Sequence, residues 1–142
     1  MYLDTAVLVK LLVREPDSSF YVSLVDRQIV WSSAVVLTEC FSALLRKERE
    51  GATTTTHRKR AWKKVEDDVV ARRLNLVPVS REVLDRSNAF LDACHPAVPL
   101  RSLDAIHLAS AAVCQSWPLC SNDDRMRKAA ARLGLPLCAL PP

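Results

Sequence analysis

The chain has 142 residues, of which 49% are hydrophobic and 25% charged, enough for one domain with a proper core and unlike disordered or fibrous composition. With only 2 glycines, neither GxGxxG nor GxxxxGK(S/T) can be written, which excludes dinucleotide-binding and P-loop phosphate cradles. The net charge of +4 is compatible with a nucleic-acid partner without specifying one.

The opening MYLDTAVLVKLLVREP predicts a short strand over 1–3 and helices over 5–13 and 17–26, with Pro16 and Asp17 marking the break. Asp4, Lys10, Arg14 and Glu15 interrupt the apolar run, so neither a signal peptide nor a membrane span is expected there. IleValTrp at 29–31 reads as a buried strand, and Ser32 and Ser33 offer a cap for a helix reaching Glu50. Gly51 and Thr53–Thr56 form a loop closing into a basic helix that runs to about residue 74. LeuValProVal at 76–79 reads as a strand compromised by Pro78.

Ser80 caps a helix to about Ala93, and 94–102 is a loop whose Ser102 caps an apolar helix to about Gln115. ProLeuCys at 118–120 is a strand, Ser121 and Asn122 a turn, and Asp123–Leu133 a helix ended by Gly134. LeuProLeuCysAla would then be a short edge strand. Strands alternating with helices predict an α/β fold, a three-layer α/β/α sandwich on a central parallel sheet. The five cysteines (Cys40, Cys94, Cys114, Cys120, Cys138) are odd in number and form no CxxC pair. They predict buried thiols in a reducing cytosol rather than a disulfide framework or a zinc site.

Four acids stand out. Asp4 and Asp123 follow predicted strands, at the carboxyl ends where open α/β sheets bind ligands. Asp104 lies in the first turn of its helix, and Glu39 about a turn inside a helix between apolar neighbours. Singly, Asp4 reads as an N-cap and Asp104 and Asp123 as complements to a helix dipole; only Glu39 resists a structural role. Together they read differently. Two carboxylates about 5 Å apart at an effective dielectric near 20 repel by roughly 3 kcal/mol, so a cluster of four needs protons or a cation. Oxygen donors suit Mg²⁺ or Mn²⁺.

The strings YLDTAVLVKLLVREP, SSAVVLTECFSALLRK, LRSLDAIHLASA and CSNDDRMRKAAARLGLPL resemble the PIN-domain ribonucleases, in particular VapC-type toxins of prokaryotic toxin–antitoxin pairs. The likeness covers residues 1–142, read as a single PIN domain. It implies a metal-dependent endoribonuclease in which Asp4, Glu39, Asp104 and Asp123 hold Mg²⁺ or Mn²⁺, with Thr5 and Ser121 in support. Ser121 stands where the family usually has Thr. Asp124 follows Asp123 directly and reads as a helix-start residue, which leaves the fourth ligand to be assigned between the two. The implied partners are RNA, a small VapB-like antitoxin and a second copy of the chain, and the implied compartment is the cytoplasm. A housekeeping PIN nuclease without an antitoxin, and a silent partner-binding module, are the alternatives.

HRKRAWKK at 57–64 offers Arg58, Lys59, Arg60, Lys63 and Lys64 as an RNA phosphate clamp, against a plain solvated helix face on which Trp62 packs inward. His107, three residues after Asp104, shares its helix face and reads as a packed or hydrogen-bonded histidine. Val7, Leu8, Leu11, Leu12, Phe20, Tyr21 and Leu24 exceed what one buried stripe requires. They point either to a dimer or antitoxin surface or to helices buried on two sides.

Overall fold

Every strand of the sheet is short, and each is followed by a helix that carries the chain back across one face. The computed structural model describes residues 1–142. Its strands are β1 (Tyr2–Leu3), β2 (Val30–Ser33), β3 (Leu74–Val77) and β4 (Leu119–Cys120). All pair in parallel, in the order β3-β2-β1-β4. Helices α1 (Thr5–Leu12) and α2 (Ser18–Val25) join β1 to β2, and α3 (Val36–Arg49) and α4 (Thr55–Val70) join β2 to β3. Helices α5 (Arg81–Cys94) and α6 (Ser102–Cys114) join β3 to β4, and α7 (Asp124–Arg132) follows β4.

Side chains alternate across the sheet as strand geometry requires. Leu3, Val30, Leu74 and Cys120 face one cluster with Val7, Tyr21, Val36, Leu44 and Val65 from α1 to α4. Tyr2 and Leu119 face the other, with Cys94, Leu108, Ala111, Met126 and Ala129 from α5 to α7. The result is the three-layer α/β/α sandwich expected. The surplus apolar residues of the first two helices are largely absorbed here: Val7, Leu8 and Tyr21 are buried, and Leu11, Leu12, Phe20 and Leu24 pack against the same cluster.

Several local expectations shift by a few residues. Ser32 and Ser33 do not cap α3; they extend β2, which pairs with β3 from Val30–Leu74 through Ser33–Val77. Ser32 Oγ donates instead to the Leu3 carbonyl at 2.8 Å, and the cap position falls to Val35, which has no side-chain acceptor. Strand β3 ends at Val77 rather than 79, because Pro78 has no N–H to continue a ladder. The strand also begins at Leu74 rather than 76, so helix α4 stops at Val70 rather than near 74, and Arg72 turns the chain with φ of 56°. Ser102 is the first residue of α6 rather than its cap, since Arg101 in extended conformation supplies the first helical acceptor to Ala105. The final LeuProLeuCysAla pairs with β4 only through the single bridge Leu119–Leu137; Pro136 interrupts any longer ladder.

The topology places a ligand site. From β1 the chain winds outward to β2 and β3, then returns to the other side of β1 to lay down β4. The crevice above β1 and β4 is therefore the point at which connections diverge to opposite faces, the usual ligand position in open α/β sheets.

Candidate active site

Asp4 and Asp123 emerge from neighbouring strands into that crevice. Leu3 and Cys120 are register partners, and the Asp4 amide continues the pairing onto the Cys120 carbonyl at 3.1 Å. Each aspartate caps the helix it starts. Asp4 Oδ1 accepts from the Val7 amide at 2.8 Å, and Asp123 Oδ1 accepts from the Met126 amide at 2.8 Å. The structural role expected of isolated helix-start acids is thus present. It also fixes one oxygen of each carboxylate and so orients the whole group. Ser121, fully buried between them, accepts from the Asp123 amide at 3.1 Å.

Asp104 enters from the first turn of α6 and Glu39 from the first turn of α3. With Asp4, Thr5, His107 and Asp123 they line an open cleft of about 810 Å³. All four predicted acids are brought to it, and Thr5 with them. Asp124 is not; its side chain is 79% exposed and pairs with Lys128 at 2.6 Å. Arg58, Lys59, Arg60, Lys63 and Lys64 do not line the cleft either. Arg58 is engaged by Glu48, Lys63 by Asp67 at 2.5 Å and Lys64 by Asp68 at 2.6 Å. Trp62 packs edge-on against Phe41 with ring centroids 4.9 Å apart.

Burial and mutual charge act on the acids of the cleft. Burial pushes the Asp4 carboxyl above its ordinary range, against the opposing pull of Ser121 and the Val7 amide; the charge of Asp123 raises it further. Burial also raises Asp104, and Asp123 is again the charge that adds to the shift. Asp104 Oδ2 is buried without any hydrogen-bond partner. No lysine or arginine forms an ion pair with Asp4, Asp104 or Asp123. Glu39 is the exception in this set. Its burial would raise it, but hydrogen bonds from His107 and Thr5 outweigh that and hold it below the ordinary range.

This donor set fits a hard divalent cation. The available atoms are carboxylate oxygens, one of them orphaned in a buried position, and Asp4, Asp104 and Asp123 crowd together without a direct ion pair to lysine or arginine, which suits an oxygen-seeking cation. No three His, Cys, Asp or Glu side chains close into a ready-made cage.

His107 is buried and hydrogen-bonded, as its spacing of three from Asp104 leads one to expect, with Nε2 2.7 Å from Glu39 Oε2. One feature lies beyond what the sequence pattern signals. Arg46, Arg49 and Arg101 also line the cleft, although none belongs to the dense basic run. Arg49 and Arg101 have no carboxylate within ion-pair distance, and Arg46 reaches Glu50 only at 3.9 Å.

A parallel sheet with acids gathered at its point of divergence defines a class, and sequence comparison agrees: the chain belongs to the PIN-domain family, whose sequence model matches residues 1–132. Within that family it is 38% identical over 142 residues to Ribonuclease VapC46 of Mycobacterium tuberculosis (strain ATCC 25618 / H37Rv), an alignment spanning 98% of this chain and 96% of the relative.

Proposed function

We propose that this protein is a metal-dependent endoribonuclease toxin of a toxin–antitoxin pair, hydrolysing RNA phosphodiester bonds. The observation that carries the chemistry is the orphaned, buried Asp104 Oδ2 among carboxylates that lack basic partners. Membership of the PIN family and similarity to a VapC ribonuclease support the substrate class.

Asp4, Glu39, Asp104 and Asp123 would hold Mg²⁺ or Mn²⁺. When bound, such a cation supplies the positive charge that makes water acidic enough to attack phosphorus and that offsets charge building up on the phosphate. The chain's own residues do the rest. The backbone amides of Val7 and Met126 fix the Asp4 and Asp123 carboxylates, and Ser121 holds the turn that presents Asp123. Arg49 and Arg101, free of carboxylates and lining the cleft, are placed to bind phosphates flanking the bond to be cut. Of the basic run on α4, Lys59 and Arg60 have no ion-pair partner and can extend that track.

The proposed partners are RNA, a small VapB-like antitoxin and a second copy of the chain, and the proposed compartment is the cytoplasm. No helix is long and apolar enough to cross a membrane. A groove of about 210 Å³ between α1 and α4, with Leu11, Leu12 and Ala61 as floor and His57, Arg60 and Lys64 as rim, offers an antitoxin helix both apolar and basic contacts.

The test is cleavage of RNA by purified protein in Mg²⁺ and in EDTA, together with growth on induction. Asp4→Asn and Asp104→Asn should fold normally and lose cleavage and growth arrest; full cleavage by either variant refutes the assignment. Relief of arrest by the product of an adjacent gene distinguishes a toxin from a housekeeping nuclease.

A further inference from the structure

One buried polar chain is left unused by the chemistry above. Tyr2, fully buried on β1, places its hydroxyl 2.8 Å from His107 Nδ1. His107, 2% exposed, places Nε2 2.7 Å from Glu39 Oε2. Thr5 Oγ1 donates to the same Oε2 at 2.5 Å and lies 3.3 Å from Nε2. The four residues come from β1, the start of α1, α3 and α6, so nothing local in the sequence brings them together.

With Glu39 ionised and the ring neutral, the bonds take one direction. An ionised carboxylate only accepts, so Nε2 carries the proton it gives to Glu39. In the neutral ring Nδ1 is then bare, and the Tyr2 hydroxyl donates to it. The hydroxyl is fixed in turn by its place in the sheet. Packing alone does not call for this arrangement, because a hydroxyl and an imidazole cost more to bury than the phenyl or leucyl side chains that would fill the same volume. Both bonds to Glu39 end on Oε2, and Oε1 accepts no hydrogen bond from the protein.

We infer that Tyr2 and His107 are positioning residues for the acid cleft: through the directed chain Tyr2–His107–Glu39, seconded by Thr5, they lock one oxygen of Glu39 and leave the other presented to a divalent cation. This rests on the reading of Glu39 as a cation ligand. Groups that orient a ligating side chain from behind commonly change metal affinity or activity by about 10–100-fold when removed.

The test uses the full chain, freed of metal, with Mn²⁺ binding measured by calorimetry, the melting temperature recorded, and kcat and KM determined on an RNA oligonucleotide. Tyr2→Phe removes only the hydroxyl and His107→Leu removes both ring nitrogens. Each should weaken Mn²⁺ binding by about 10–100-fold and lower kcat at unchanged KM. His107→Gln, whose amide N–H can reach the position of Nε2, should recover most of both. Adding Tyr2→Phe to Glu39→Gln should produce no further loss of Mn²⁺ affinity.

A purely structural role gives a different pattern: lower melting temperatures, parent-like Mn²⁺ affinity, and a Tyr2→Phe effect that adds to Glu39→Gln. That pattern overturns the inference while leaving the acid cleft intact. If Glu39→Gln itself keeps parent-like affinity and cleavage, Glu39 is no ligand, and the fault lies in the reading of the cleft. Should His107→Leu fail to fold, the isosteric Tyr2→Phe decides the matter.

Discussion

Replacing Asp104 with Asn should make the metal-free protein more stable while abolishing its activity. Asp104 Oδ2 is buried and unpartnered, and its carboxyl is raised first by burial and then by the Asp123 charge. A buried polar atom without a partner costs about 1–3 kcal/mol, and more when charged. Asn removes the charge and keeps the shape, although its amide still lacks one partner, so a gain of about 1–2 kcal/mol is expected in EDTA at neutral pH. For a chain of this size that corresponds to roughly 2–8 °C in melting temperature.

The pH dependence fixes the cause. A carboxyl raised in the folded state favours folding below its unfolded pKa, and that contribution is lost as pH rises through the folded value. The advantage of Asp104→Asn should therefore appear at neutral pH and vanish in acid, where the parent is protonated too. Added Mg²⁺ or Mn²⁺ should narrow the gap by binding the parent more tightly, since a ligand at about 100 times its Kd stabilises by about 2.7 kcal/mol. An Asp104→Asn protein that melts at or below the parent in EDTA at neutral pH refutes the picture of an acid held in place at a cost.

Three further outcomes follow from particular contacts. Glu15 lies between Lys10 at 2.8 Å and Lys47 at 2.6 Å; burial would raise its carboxyl, but these two ammonium groups outweigh it and hold it low. Glu15→Gln should thus lose about 1.5–3 kcal/mol at neutral pH and converge with the parent in strong acid; denaturant melts showing the same deficit at every pH would contradict this. Arg49→Ala with Arg101→Ala should reduce the slope of log K against log salt for single-stranded RNA by about 1.4, at about 0.7 per phosphate contact, measured by fluorescence anisotropy. Lys63→Ala with Lys64→Ala, which remove cations already paired with Asp67 and Asp68, should move that slope less, and the reverse ranking would place the RNA along α4.

The amino-acid sequence by itself determined the alternation of strand and helix, and with it the layered fold, because periodicity and capping act within a few residues. Thr54 and Ser80 accept from the amides of His57 and Val83 as cap chemistry requires. It also nominated the four acids, since carboxylates at strand ends and inside an apolar helix face are costly to desolvate together unless a cation offsets their charge. It misplaced Ser32 and Ser33, because a serine before a helix looks the same whether it caps that helix or completes a strand, and only pairing with β3 decides.

Tertiary structure alone decided which basic residues reach the cleft. The α4 lysines and Arg58 form the densest basic run, yet intrahelical and neighbouring carboxylates neutralise much of it, whereas Arg49 and Arg101 are brought to the cleft from separate segments. The same holds for Tyr2 and His107, which lie 105 residues apart in sequence and meet only because Tyr2 faces the layer that contains α6. Hydrogen bonds act over about 3 Å in space, and spacing along a chain reveals such contacts only when both partners share one helix or strand.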